Sequence, residues 1–108
     1  MVYERRSAAG WAVHPGEILK GEFLGPMKLS GYALSKAIKV NPQRVSDITL
    51  KKTGISADMA VLLAKYFGTT PEFWMNLQSA FELAQARKEL KAKIESINPH
   101  DAAQMKAS

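Results

Sequence analysis

ALSKAIKVNPQRVSDI, residues 33–48, contains two short amphipathic segments separated by a turn. In the first segment Leu34, Ala37 and Ile38 occur at i, i+3 and i+4, which places these apolar side chains on one face of a helix. Ser30 stands just before this segment, where a hydroxyl accepts a hydrogen bond from a first-turn N–H. The first segment is therefore predicted to be a short, capped helix.

The second segment begins after Lys39-Val40, which turns the chain. Asn41-Pro42 combines a capping side chain with a proline at the first helical position, where its missing N–H costs no hydrogen bond. Val45 and Ile48 supply the inward face of this helix. The residues left on its outward face are all polar: Gln43, Arg44, Ser46 and Asp47.

Caps and helix-breaking residues divide the rest of the chain into three more helices. These are predicted to run from Pro15 to Gly25-Pro26, from Ser56 to Gly68, and, as one long helix, from Pro71 to Ile97. Strand signals are nearly absent. We therefore predict an all-α fold with five helices in residues 14–97, preceded by an N-terminal arm at 1–13 and followed by a flexible tail at 98–108.

The composition is that of a small globular domain. The chain has 108 residues, of which 46% are hydrophobic and 23% charged, and this balance argues against a disordered or fibrous chain. Cysteine is absent, which excludes disulfides, thiolate zinc sites and a cysteine nucleophile. No apolar run approaches the roughly 20 residues that span a bilayer, and no apolar signal core follows the first residues. We expect a cytoplasmic protein.

The net charge of +5 is concentrated in one part of the chain. Between Lys28 and Lys52, six basic residues accompany a single acid, Asp47, whereas the remaining nine basic and nine acidic residues cancel. An excess spread evenly over the surface would only aid solubility. Because this cluster coincides with the two short helices, it indicates a polyanionic partner.

The two short helices have the arrangement of apolar inward and polar outward side chains that is needed to read a DNA duplex. The major groove admits one helix, whose N-terminal residues contact base edges, while the preceding helix crosses the phosphate backbone. Arginine binds guanine and glutamine binds adenine with paired hydrogen bonds, and Asp47 is placed either to accept from cytosine or to orient Arg44. The predicted base-reading residues are Asn41, Gln43, Arg44, Ser46 and Asp47. The predicted phosphate contacts, which add affinity without sequence information, are Ser30, Lys36, Lys39, Lys51 and Lys52.

Four phrases resemble a known family: HPGEIL (14–19), ALSKAIKVNPQRVSDI (33–48), GISADMAVLLAKYFGTTPEFWMNLQ (54–78) and FELAQAR (81–87). Together they resemble the helix-turn-helix antitoxins of the HigA or VapI type, within the Cro and phage-repressor-like (XRE) regulators. The resemblance implies a lambda-repressor-like five-helix domain with an extended C-terminal helix. It also implies a homodimer on a palindromic operator, repression of its own operon, and inhibition of a toxin that cleaves mRNA on the ribosome.

The sequence departs from this family pattern at three points. Gly31 stands where the family usually has a glutamine that contacts phosphate, and Leu50-Lys51 replaces the Asn-Gly that ends the recognition helix. The chain also lacks the acidic, disordered segment with which many antitoxins neutralise a basic ribonuclease. A toxin would therefore contact folded surface, the arm Met1 to Val13, or the terminal helix.

Leu90, Ile94 and Ile97 form a short apolar stripe in an otherwise charged segment. Their spacings of four and three are those of a coiled-coil seam, although the stripe lasts barely two turns, so packing within one chain remains an alternative. We predict a dimer or partner contact, because the surrounding charges give this segment little reason to remain helical alone.

Other chemistries find no support in the residues. His14 and His100 lie 86 positions apart without a third ligand, so we predict no metal site and interpret His14 as a helix cap. No hydroxyl has a histidine at a spacing typical of nucleophilic catalysis. Phe73, Trp74 and Phe81 are predicted core residues rather than a base-stacking platform. We predict no enzyme and no cofactor. A solitary regulator without a toxin and a pure protein-interaction module are the alternatives to the antitoxin.

Overall fold

The structure, a computed structural model, describes residues 13–100, and within this range the chain is helical without strands. Helix α1 is continuous and consists of Pro15–Ile18, a π-helical stretch Leu19–Leu24, and a last α-helical turn Gly25–Met27. The other helices are α2 (Gly31–Ile38), α3 (Pro42–Thr49), α4 (Ala57–Phe67), α5 (Pro71–Glu89) and α6 (Lys91–Ser96). The predicted all-α class is confirmed. Most of the predicted arm and the tail beyond His100 lie outside the described residues.

Four of the five predicted helix starts are confirmed by capping hydrogen bonds, and the fourth helix begins after Ser56 as predicted but without one. The backbone N–H of Gly16 donates to Nδ1 of His14 at 2.8 Å, so the histidine is a cap as predicted. Ser30, Asn41 and Thr70 accept in the same way from first-turn N–H groups of α2, α3 and α5. Each cap satisfies a donor that has no partner inside its helix.

The predicted end of α1 at Gly25-Pro26 is wrong. The helix continues to Met27 because the turn before Pro26 is π-helical, with the Gly25 N–H bonded to the carbonyl of Lys20. Pro26 then stands at the beginning of a new α-turn, a position at which a proline is tolerated. The helix ends at Lys28, which adopts the left-handed conformation with φ 53°.

The single long helix predicted from Pro71 to Ile97 is also wrong. Leu90, with φ −102° and ψ 12°, interrupts it, so that six helices replace the predicted five. The interruption removes few hydrogen bonds, because the Leu90 N–H still donates to the carbonyl of Ala86 and the Leu90 carbonyl still accepts from the N–H of Ile94. Neither glycine nor proline occurs at the break, so the sequence does not predict it.

The core lies where α1, α2 and α3 meet the α4–α5 pair. Trp74 is fully buried, and its indole N–H donates to the Thr69 hydroxyl at 2.8 Å. Phe73 packs edge-on against Trp74 with ring centroids 5.0 Å apart, and Phe81 packs against His14 at 4.9 Å. Trp74 is therefore a core residue, as predicted. Phe73 and Phe81, which were predicted with it, are half-buried at the border of the core.

The α2–α3 pair is fixed to the rest of the fold by packing on both sides. Val45 and Ile48 of α3 and Leu34 and Ile38 of α2 are buried, as predicted from their spacing. α3 also contacts α1, where a Cβ added to Gly16 would overlap the carbonyl oxygen of Ile48. Between residues 13 and 100 no helix combines the length and apolar character needed to cross a membrane.

Candidate nucleic-acid interface

Helix α3 presents a polar face to solvent opposite its buried Val45 and Ile48. Asn41, Gln43 and Arg44, at the N-terminal end of this face, are exposed, and Ser46 and Asp47 are half-buried beside them. The structure thus brings all five predicted base-reading residues to one helix and one surface. The side-chain oxygen of Asn41, Oδ1, is engaged, because it accepts the capping hydrogen bond from the Gln43 N–H at 2.8 Å.

Asp47 is paired with Gln43 and not with Arg44. The Gln43 amide donates from Nε2 to Oδ1 of Asp47 at 2.8 Å, across one turn of α3. The alternative in which Asp47 orients Arg44 is therefore wrong, and the reason is the helical spacing of four that favours the glutamine.

Arg44 instead contacts the start of α4. Its Nη2 lies 3.0 Å from Oδ2 of Asp58 and donates to the Ser56 hydroxyl at 3.3 Å, while the Ser56 hydroxyl donates to Oδ1 of Asp58. Hydrogen bonds from Ser56 and then from Arg44 lower the pKa of Asp58 below its usual value. The sequence does not predict this contact, because Ser56 is expected only as the beginning of a helix.

The predicted phosphate contacts surround α3. Ser30 caps α2 by accepting from the Ala33 N–H, and the Lys36 Nζ lies 5.6 Å above the centroid of the Tyr32 ring. Lys39 ends α2, and Lys52 is exposed in the loop after α3. Ser30 also lines a surface concavity of about 660 Å³ together with Lys20 and Lys28.

Lys51 differs from the other cations because it is already paired. Its Nζ lies 2.7 Å from Oε2 of Glu17 on α1, a contact that sequence reasoning missed. Like Lys28 and Lys39, it has a positive φ, here 64°, which is the left-handed conformation that favours glycine. Lysine therefore occupies three positions after helices α1, α2 and α3 at which glycine would cost less conformational strain.

His14 is a buried side chain at the beginning of α1. Burial and, next, the positive charge of Lys51 lower its pKa, against the opposing effects of Glu17 and the Thr53 backbone. A neutral ring suits its capping role, because Nδ1 must accept a hydrogen bond. Within residues 13–100 no group of three or more His, Cys, Asp or Glu side chains is arranged to hold a metal ion.

Comparison with known proteins agrees with this geometry. A helix-turn-helix family model matches residues 22–74. The Virulence-associated protein I of Dichelobacter nodosus is 46% identical over 88 residues, which cover 82% of this chain and 81% of that protein. The chain belongs to the HigA/VapI-type helix-turn-helix family. Its relatives include a Haemophilus influenzae protein described as an HTH-type transcriptional regulator, 38% identical, and the Vibrio cholerae antitoxin HigA-1, 37% identical.

Two solved structures show the same HigA-type fold bound to DNA. A Pseudomonas aeruginosa protein in complex with its 18-base-pair operator is 48% identical, with a TM-score of 0.81 over 84% of this chain and 97% of that one. The Pseudomonas aeruginosa antitoxin HigA with the higBA promoter is 47% identical, with a TM-score of 0.79 over 82% of this chain and 98% of that one.

The apolar stripe of this HigA-type chain is uncovered in the single subunit. Leu90, Ile94 and Ile97 are between 44% and 62% exposed, and none is buried against the core. Met75 and Leu83 of α5 are also exposed. Packing among residues 13–100 therefore leaves the three side chains of the stripe largely uncovered.

Proposed function

We propose that this protein is a dimeric repressor that binds a palindromic operator, regulates its own operon, and serves as the antitoxin of a type II toxin-antitoxin pair. The observation that carries the proposal is the exposed polar face of α3, held by buried Val45 and Ile48 and surrounded by cations. The likeness to HigA-type proteins crystallised with operator DNA supports it.

In this proposal α3 enters the major groove and α2 crosses the phosphate backbone. Arg44 donates to O6 and N7 of a guanine, and Gln43 contacts an adenine or a cytosine together with its partner Asp47. The hydrogen bond between Gln43 and Asp47 links the two side chains, so that they meet base edges as a unit. Asn41 and Ser46 complete the contact at either side of this pair.

The cations around α3 supply affinity that does not depend on sequence. Ser30, Lys36, Lys39, Lys51 and Lys52 contact phosphates in this proposal. The concavity beside Ser30 at the N-terminus of α2 has Lys20 and Lys28 in its wall, and their positive charges suit a phosphate. Each neutralised phosphate makes binding more sensitive to salt.

The exposed stripe supplies a surface for the second subunit or for the toxin. Leu90, Ile94 and Ile97 offer exposed apolar side chains that a partner helix would cover. Apolar burial is the main favourable contribution to association of folded surfaces. We assign this stripe to dimer or partner contact, and the toxin to folded surface, the arm Met1 to Val13 or the terminal helix.

The toxin is proposed to be a ribosome-dependent endonuclease of mRNA, as the HigA resemblance implies. The test is to co-express the tagged chain with the adjacent reading frame of its own operon, and to measure co-purification and growth. A small protein that co-purifies and is toxic only when expressed alone supports the antitoxin. A harmless neighbour that does not co-purify contradicts it and leaves a solitary regulator.

A matched variant separates the two proposed activities. Arg44→Ala removes a base-reading side chain from α3, far along the chain from the stripe on α5 and α6. It should abolish repression of a reporter driven by the chain's own promoter while still protecting cells from the toxin. Loss of protection together with loss of repression would place the toxin on the DNA-binding face instead.

A further inference from the structure

The GISAD segment, residues 54–58, places two polar side chains beside Arg44 that the scheme above does not use. Ser56 occupies the N-cap position of α4, yet its side chain caps no backbone N–H. Its hydroxyl donates to Asp58 and accepts from Nη2 of Arg44 at 3.3 Å. The same Nη2 lies 3.0 Å from Oδ2 of Asp58, so the three side chains close a triangle between α3 and α4.

This triangle has little to contribute to stability. The Arg44 side chain is 42% exposed and that of Asp58 61% exposed, and ion pairs exposed to this extent add little to the free energy of folding. Its effect is on the conformation of Arg44. A long arginine side chain samples many rotamers, and two acceptors on a neighbouring helix restrict it to a few.

We propose that Asp58, held by Ser56, is a positioning residue that determines DNA specificity through Arg44. The inference rests on the proposed function, in which Arg44 reads a base. Anchoring Nη2 fixes the plane of the guanidinium and leaves Nε–H and the Nη1 donors to meet a base edge in one orientation. Restriction before binding lowers the conformational entropy that is lost in the complex.

The Asp58 carboxylate also disfavours contacts between Arg44 and DNA phosphates, which do not depend on sequence. Phosphates flank every base pair, and a free arginine at a groove wall pairs with them whatever the sequence. Asp58 competes with phosphate for the same guanidinium and repels phosphates itself. Its removal should therefore raise affinity for random DNA and reduce discrimination at the base pair that Arg44 reads.

The experiment uses the full chain and a library of random-sequence duplexes. Sequencing of the bound fraction gives the base preference at each position, and affinities are then measured for one selected duplex and its scrambled counterpart. Asp58→Asn should lower the ratio of these affinities about tenfold and relax the same base pair as Arg44→Ala. When Asp58→Asn is added to the Arg44→Ala variant, it should have no further effect on the ratio of the two affinities.

Glu72→Gln is the matched control. Glu72 follows Pro71 in the first turn of α5 as Asp58 follows Ala57 in α4, so the change removes the same charge from the same helical position. A general effect of charge or of the helix dipole would affect both variants alike. We expect the control to keep the affinity ratio and the base preferences of the original chain, and thermal unfolding verifies that each variant is folded.

The outcomes distinguish this inference from the function on which it rests. If Arg44→Ala relaxes one base pair and Asp58→Asn relaxes none, Asp58 does not position Arg44, while the DNA-binding function stands. If Asp58→Asn tightens both duplexes by one factor, Asp58 acts only as a repulsive charge and the inference is again overturned. If the original chain selects no sequence from the library, both fail.

Discussion

The buried N–H of Ile55 donates a 2.8 Å hydrogen bond to Oε1 of Gln78, which ties the loop after α3 to the middle of α5. The amide of Gln78 is fixed in turn by donating to Glu82 at 2.7 Å. The site is close-packed, because a Cβ on Gly54 would overlap the Gln78 side chain. A polar residue of α5 thereby holds the loop that leads from α3 to Ser56.

Gln78→Leu should therefore destabilise the protein by about 1–3 kcal/mol, because it leaves the buried Ile55 N–H without an acceptor. Urea unfolding measures the loss. Gln85→Leu, on the exposed surface of the same helix, is the control and should change stability by less than about 0.5 kcal/mol. Equal losses in the two variants would contradict a specific role for the Ile55 hydrogen bond.

Gly16→Ala should destabilise the fold by about 1–3 kcal/mol, since its Cβ would overlap the backbone carbonyl of Ile48 and force α1 away from α3. Gly21→Ala in the same helix is its control. A Cβ there meets nothing within 4 Å, so the change should stabilise the protein by about 0.5–1 kcal/mol. Thermal unfolding of both variants gives the sign, and the prediction is wrong if both shift the midpoint in one direction.

The helix starts could be predicted from sequence because caps act locally. The side chains of Asn41 and Thr70 need only the next few backbone N–H groups as partners, and those are present wherever the helix forms. Burial of Val45 and Ile48 followed in the same way from helical spacing. Such features depend on neighbours in the chain and are visible in the sequence.

What the sequence did not predict depends on partners distant in the chain or on small backbone differences. Glu17 reaches Lys51, and Asp58 reaches Arg44, only because α1, α3 and α4 are packed together. The break at Leu90 retains its hydrogen bonds to both neighbouring turns, so no residue type is required there.

Lys39→Gly should have opposite effects on stability and on DNA binding. Lys39 has φ 63°, and glycine adopts this conformation without strain, so the protein should gain about 0.5–1 kcal/mol. Loss of the cation should weaken binding to all sequences and reduce the salt slope by about 0.9.

Lys36→Gly removes the same charge from the interior of α2 and is the matched control. It should weaken DNA binding similarly but destabilise the fold by about 1 kcal/mol, because glycine is a poor helix former. Unfolding in urea and DNA titration at several salt concentrations measure the two quantities. Should both variants lose stability, the strain assigned to Lys39 is absent.

His14 should make stability depend on pH below neutrality. Burial and the charge of Lys51 lower its pKa, so the folded state favours the neutral ring more than the unfolded state does, in which the pKa is near 6.5. The stabilisation is present above pH 6.5 and is lost as the pH falls from there towards the lowered pKa. Free energies of unfolding between pH 8 and pH 5 should show this decrease.

His14→Asn keeps a capping side chain without a group that titrates in this range, and should therefore flatten that part of the pH profile whatever its effect on absolute stability. His100→Gln removes the other histidine of the chain, which is exposed, and should leave the profile unchanged. A decrease of the same size in His14→Asn would assign the pH dependence to other groups.

Lys51 and Lys52 are adjacent cations that should contribute differently to DNA binding. Glu17 lies 2.7 Å from the Lys51 Nζ and offsets its charge, whereas no ion pair of Lys52 is found among residues 13–100. Lys52→Ala should therefore weaken binding to specific and random DNA more than Lys51→Ala does, with the larger reduction in salt slope. Fluorescence anisotropy between 50 and 200 mM salt measures both slopes.

Glu17→Gln tests the same ion pair from its other side. Releasing Lys51 should raise affinity for both duplexes by the same factor, because a phosphate contact carries no sequence information. In a Lys51→Ala background, the gain from Glu17→Gln should shrink to the small effect of removing one distant acid. A gain of full size in that background would mean that Glu17 acts on the DNA directly, and that its contact with Lys51 does not govern the phosphate interaction.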